Sequence, residues 1–378
     1  MISFRRSLHN LKKIIFPLLP IGFIEYLDKK RELSLNYFLG GYKEYVAKNS
    51  SMLESKISIE RNYKIVIAVS GFGYSGSGAI VDLFAECDNC LCVGDSDENT
   101  FDKVDITIGY ETDFIRLAGG LFEIERYLGC GNIFLNDALI NRFIKCAESF
   151  PPFKKDERVR NCFYEFFDEI VELKIMDLKG NAYNSFLYPR KKKSNIFFLK
   201  NLTVAEYRVI SNKFLVKLFN ILNYTHSDYL VFDQLLSDCE INAEKNNDYI
   251  KNVKTIIVYR DPRDIYAFAK KTDMAWIAHD NVDDFILWYK IMVRHLNLND
   301  QNNLIVQFEK LVTDYDNEIK RIFNYVEIDG ELHNLNKKGL RFRPQFSINN
   351  VGIWKHSDIS SSELEKIKHL LGDYCFEN

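Results

Sequence analysis

Residues 71–78 read Gly-Phe-Gly-Tyr-Ser-Gly-Ser-Gly. Glycines let a backbone approach a phosphate closely and turn its N–H groups inward. A helix starting just after such a loop adds the positive end of its dipole. Ser75 and Ser77 bring hydroxyl donors. The segment predicts a phosphate-binding loop, for which three ligand classes compete. A nucleoside triphosphatase loop has the form GxxxxGK[ST]. Gly71 and Gly76 fit it, but Ser77 stands in place of the lysine and Gly78 in place of the magnesium-binding hydroxyl. A dinucleotide-binding loop has the form GxGxxG, which Gly71, Gly73 and Gly76 satisfy, with Asp95 about twenty residues on as a ribose-binding acid. That reading describes an NAD-dependent oxidoreductase. The third class depends on a second cluster.

That cluster is Arg260-Asp-Pro-Arg-Asp264. Asp261 suits a helix N-cap, Pro262 the first helical position, and Asp264 the positive end of the helix. The helix start explains every residue except Arg260. A guanidinium at the end of a central strand is expensive unless it meets an anion. Its partner is either a phosphate or a protein carboxylate.

Elements must position these groups. Residues 63–70 (YKIVIAVS) form an apolar, β-branched run that predicts a buried parallel strand ahead of the loop, with a helix at 79–87 behind it. Further strands are predicted at 89–93, 229–232, 254–259 and 303–308, with helices at 262–271 and 309–325. Residues 113–225 read as mainly helical, with a basic turn at 189–193. Strand–helix alternation argues for a parallel sheet with helices on both faces. Ligands in such sheets bind at the carboxyl ends of the strands, which points to the segments after Ser70, Phe232 and Tyr259.

Four segments taken together resemble the sulfotransferase family: the loop at 70–79, YRDPRD within 255–264, LIVQFEKLV at 304–312, and Gly352-Ile-Trp-Lys355 before a last helix at 362–371. The resemblance spans about residues 63–373. It implies a three-layer, P-loop-like α/β fold with a central parallel sheet. A largely helical insertion is expected at about 113–225, inside a domain of residues 61–378. Residues 1–60 are a helical appendage. The resemblance also implies a donor, 3′-phosphoadenosine 5′-phosphosulfate, held by Gly73, Tyr74, Ser75, Gly76, Ser77 and Gly78. Arg260 would hold its 3′-phosphate, and Trp354 and Lys355 would lie in the closing loop. The acceptor is a hydroxyl, on a saccharide or glycolipid. The chain looks most like bacterial enzymes that decorate surface polysaccharide, and no metal is expected.

Sulfuryl transfer requires in-line oxygens, stabilised negative charge and a base for the acceptor proton. Asp233, at a strand end, is the first candidate base and Glu111 the second. The sequence departs from the family's pattern in three places. Tyr74 replaces a loop cation, Phe268 replaces a serine, and Ser347-Ile-Asn349 replaces Arg-Lys-Gly. Arg263, Lys270, Arg341, Arg343 and Lys355 are the cations at hand to substitute. A catalytically inactive nucleotide-binding relative stays open as an alternative.

A formal net charge of −3 offers no general attraction to nucleic acid. The eight cysteines form no disulfide framework, and Cys87, Cys90 and Cys92 lack a matching second pair for zinc. Residues 14–24 are apolar behind Arg5, Arg6, Lys12 and Lys13, but Pro17 and Pro20 interrupt them. The stretch is too short to span a bilayer. Residues 1–30 are expected either to pack on the protein or to touch a membrane peripherally, at the inner face of a cytoplasmic enzyme's membrane.

Overall fold

The computed structural model describes residues 41, 42, 44, 45, 60–93, 109–131, 134–136, 156–181, 191–236, 244–328 and 341–377. The chain divides into two units, Met1–Lys56 and Ile57–Asn378. In the first, residues 41, 42, 44 and 45 are helical. Asp95 and residues 1–30 lie outside the described residues.

The second unit is built on five parallel strands: β1 (Ile65–Ser70), β2 (Cys90–Cys92), β6 (Tyr229–Asp233), β7 (Val253–Tyr259) and β8 (Leu304–Gln307). Their order is β2-β6-β1-β7-β8. β1, in the middle, is apolar up to its last residue, Ser70, because both of its faces are covered. Alternate residues serve opposite cores. Val69, Val231, Ile256 and Val258 pack with α1 (Ser77–Ala85) and α9 (Tyr315–Val326). Ile257 and Tyr259 pack with α6 (Pro262–Thr272), α7 (Val282–Met292) and α11 (Ser361–Leu371). The result is a three-layer α/β fold, as expected. The strands beside β1 are β6 on one side and β7 on the other, so a crevice opens at its carboxyl end, where Gly71–Gly78 begin.

Between β2 and β6 lie α2 (Gly109–Gly129), β3 (Phe134–Asn136), α3 (Glu157–Ile170), β4 (Val171–Asn181), β5 (Lys191–Leu199) and α4 (Val204–Leu222). Helices dominate, but β3, β5 and β4 form an antiparallel sheet that the sequence reading did not contain. The expected basic turn at 189–193 is corrected here. Lys191, Lys192 and Lys193 are strand residues, paired with Asn181, Gly180 and Lys179. α4 opens on a reciprocal cap, in which Thr203 accepts from the Glu206 N–H and the Glu206 carboxylate accepts from the Thr203 N–H. α5 (Glu244–Tyr249) precedes β7, and α8 (Phe308–Thr313) follows β8 directly. The C-terminal segment runs through α10 (Pro344–Ser347) and two 3-10 turns, Ile348–Asn350 and Ile353–His356, to α11.

Candidate functional site

The loop is shaped by its own side chains. Ser75 is fully buried, and its hydroxyl accepts the Phe72 N–H at 3.1 Å, so it works inside the loop. A Cβ on Gly71 would fall 2.2 Å from that hydroxyl. Gly76 has φ of 97° and lies against Phe308, whose ring would be 2.4 Å from a Cβ there. Only glycine meets both conditions. Ser77 opens α1, and Gly78 on its first turn faces open space.

Two residues flanking the glycines adopt positive φ without being glycine: Tyr74 at 66° and Gln234 at 55°. Such backbone costs about 1 kcal/mol or more each and gathers at functional sites. Gln234 follows β6, and its N–H donates to the Val69 carbonyl at 2.8 Å. Its side-chain oxygen accepts the Gly71 N–H, and its amide donates to the Ser77 hydroxyl, both at 3.4 Å. The sequence alone gives Gln234 no role; the available signal is its place two residues beyond Phe232, at a strand end expected to meet a ligand. Asp233, the last residue of β6, is in register with Val69 beside the loop. Glu111 lies on α2, but its side chain is outside the described residues.

Arg260 is buried, 6% exposed, and faces the loop. Its NH1 donates to the Tyr74 carbonyl at 3.5 Å and its NH2 to the Asn350 carbonyl at 2.5 Å. The guanidinium lies 5.0 Å from the Phe308 ring centre. Phe308 therefore touches both Gly76 and Arg260. Arg260 ties the glycine loop to the C-terminal segment, and burial lowers its pKa. Glu309, fully buried, brings its Oε1 to 3.9 Å from Arg260 Nε. Glu309 Oε1 accepts the Asp261 N–H at 2.9 Å. Burial pushes this carboxyl up to about 7. Sequence reasoning quoted Glu309 within a matching segment without giving it a role; a charged residue just beyond a buried strand was the available signal.

The remaining residues of the turn hold the chain's last segment. Asp261 caps α6 by accepting the Arg263 N–H at 2.8 Å, and it also takes the Phe376 N–H at 2.9 Å. Arg263 makes a two-pronged contact with Asp261, with shortest distance 2.6 Å, and donates to the Phe376 carbonyl at 2.8 Å. It also stacks 4.4 Å from the Trp354 ring centre. Asp264 accepts the N–H groups of Gly352 and Trp354 at 2.8 and 3.2 Å. Burial raises the Asp264 pKa, against the pull of these donors and of Arg260. Arg263, Asp264, Trp354 and Lys355 line a cavity of about 300 Å³ to which none of the loop glycines contributes. The loop and Arg260 thus come together, while Trp354 and Lys355 border a different space.

Among the expected substitute cations, Arg263 is engaged by Asp261 and Lys270 by Glu363, at 2.8 Å. At the two aromatic departures, Tyr74 packs on Phe268 with ring centres 4.4 Å apart. It runs parallel to the exposed Trp276, centres 6.2 Å apart. Aromatic contact occupies the positions where the family resemblance implies a cation and a serine. Among the described residues, no three His, Cys, Asp or Glu side chains are grouped to hold a metal ion. Nor is any helix among them long and apolar enough to cross a membrane.

No protein-family model matches the chain, and no curated protein does. Among solved structures, it is similar to the sulfotransferase domain of the Synechococcus PCC 7002 olefin synthase, with 12% identity, 86% of this chain and 98% of that chain covered, and a TM-score of 0.40. Sulfotransferase STF9 from Mycobacterium avium gives 9% identity, 88% and 80% coverage, and 0.36. Retinol dehydratase in complex with retinol and PAP gives 12%, 82% and 81%, and 0.31. Similarities this distant leave the site to be judged on its own geometry.

Proposed function

We propose that the chain is a sulfotransferase that moves a sulfuryl group from 3′-phosphoadenosine 5′-phosphosulfate to a hydroxyl of a saccharide or glycolipid. One observation carries this reading: a glycine–serine loop with neither lysine nor magnesium-binding hydroxyl is joined, through the Tyr74 carbonyl, to a buried strand-end arginine. That arrangement suits an anion whose charge is met without a bridging metal. Backbone N–H groups of residues 76–78 and the Ser77 hydroxyl would take the 5′-phosphosulfate at the positive end of α1. Arg260 would take the 3′-phosphate. The acceptor oxygen forms the new S–O bond as the bond to the 5′-phosphate oxygen breaks, and the acceptor proton passes to Asp233. Gln234 keeps the loop in place during the exchange. Trp354 and Lys355 act through the C-terminal segment that Arg260 ties to the loop.

Calorimetry with adenosine 3′,5′-bisphosphate, with and without a chelator, tests this proposal. Binding that survives chelation, with NAD and ATP inactive, is expected. Binding of NAD alone would return the loop to the dinucleotide class. Strict metal dependence would return it to the triphosphatase class.

A further inference from the structure

Glu309 is a buried acid to which sulfuryl transfer assigns no part. It sits at the start of α8, at the carboxyl end of β8, and is closed to solvent. Glu309 Oε2 and Arg260 Nε, on adjacent strand ends, find no hydrogen-bond partner among the described residues. Other ionisable groups face the carboxyl from β7, α6 and α7. Tyr259 and Tyr289 are phenols that burial pushes up, Tyr259 to about 12, so both stay neutral. Asp261 is paired with Arg263, and Asp264, the carboxylate whose charge acts most strongly on Arg260, has its oxygens engaged by the Gly352 and Trp354 N–H groups. Arg260 is the cation beside Glu309, and the same guanidinium touches the glycine loop.

An anion seated at the loop therefore competes with Glu309 for one buried positive charge. Two negative charges around a single guanidinium repel, and repulsion favours the neutral form of whichever group can take a proton. We infer that Glu309 takes up a proton when an anion binds beside Arg260, so that the site binds anion and proton together. The inference rests on the reading above only in requiring that an anion sits at the loop. Because burial already brings this carboxyl to about 7, the uptake falls in the neutral range.

The test uses the full chain. Calorimetry with adenosine 3′,5′-bisphosphate, in buffers of different ionisation enthalpy near neutral pH, reads protons bound per ligand. Wild type should take up a sizeable fraction of one proton, and its affinity should weaken by up to about tenfold per pH unit above neutrality. Glu309→Gln should bind with neither effect. Uptake retained in that variant, or absent from wild type, overturns the inference. Failure of the nucleotide to bind defeats the sulfotransferase reading, and the linkage is then read by NMR with inorganic sulfate. Carbon-13 NMR of labelled glutamate should show a near-neutral midpoint that rises in the presence of inorganic sulfate. A midpoint that sulfate leaves unmoved overturns the inference, and the same measurement decides the matter should Glu309→Gln fail to fold.

Discussion

At the scale of single residues, Arg260 carries two duties that mutation can separate. It holds carbonyls of two segments, and in the proposed function it is the cation offered to the nucleotide. Arg260→Ala should lower stability and weaken adenosine 3′,5′-bisphosphate binding by about 1.5–3 kcal/mol. The preference over adenosine 5′-monophosphate should vanish with it; an unchanged affinity ratio in folded variant would remove Arg260 from the ligand. Arg260→Lys should restore only part, because an ammonium makes no two-pronged contact. Glu309 gives a pH signature. Its folded pKa of about 7 lies above the roughly 4.3 of an unfolded chain. Neutral Glu309 therefore contributes stability that is fully present below about pH 4.3 and is lost as pH rises through about 7. Urea denaturation across that window should show wild type losing on the order of 3 kcal/mol relative to Glu309→Gln. Parallel curves for the two proteins would mean that the carboxyl is ionised throughout. Arg260 was legible because a charge after an apolar run demands an explanation. Glu309 offered the same signal, a charge just after an apolar strand; Gln234 was not legible, because its partners Val69, Gly71 and Ser77 lie far from it in the chain.

At the scale of elements, the start of α6 was readable in full: each residue of Asp-Pro-Arg-Asp has a local reason to be there. What the sequence could not convey is that Asp264 would turn its carboxylate to the N–H groups of a segment far along the chain. Asp264→Ala leaves two part-buried N–H groups unmatched, at roughly 1–3 kcal/mol each. Hydrogen exchange should then quicken at Gly352 and Trp354, and nucleotide affinity should fall. Thr203→Ala is the contrasting change. It removes the cap of α4 at a cost of about 1 kcal/mol and should leave nucleotide binding untouched. A loss of binding there would mean that the insertion communicates with the loop. The hairpin of β4 and β5 was missed, although Val171, Leu173 and Ile175 alternate with Glu172 and Lys174. The lysine run after Pro189 looked like a turn, and register shifts break the alternation beyond Ile175.

At the scale of the molecule, strand–helix alternation was enough to predict a parallel sheet, yet the placing of β6 between β1 and β2 was beyond it. Sequence order says which strands exist and leaves open which are neighbours. The Met1–Lys56 unit carries its own prediction. If residues 1–30 lie at a membrane rather than pack on the protein, the full chain should come down with anionic vesicles, and deleting those residues should abolish sedimentation while sparing nucleotide binding. Full-length chain that stays in the supernatant would remove the membrane contact.

Phe376, far along the chain, clasps Asp261 and Arg263 through its main chain. Phe376→Pro would remove the N–H that Asp261 accepts, touch nothing near the glycines, and still loosen the turn that presents Arg260. Coupling of this kind is reciprocal. Whatever this fastening lends to anion affinity at the loop, a bound anion must return as slower opening of the fastening. The rate at which the Phe376 amide exchanges its hydrogen thus becomes a gauge of occupancy at the loop.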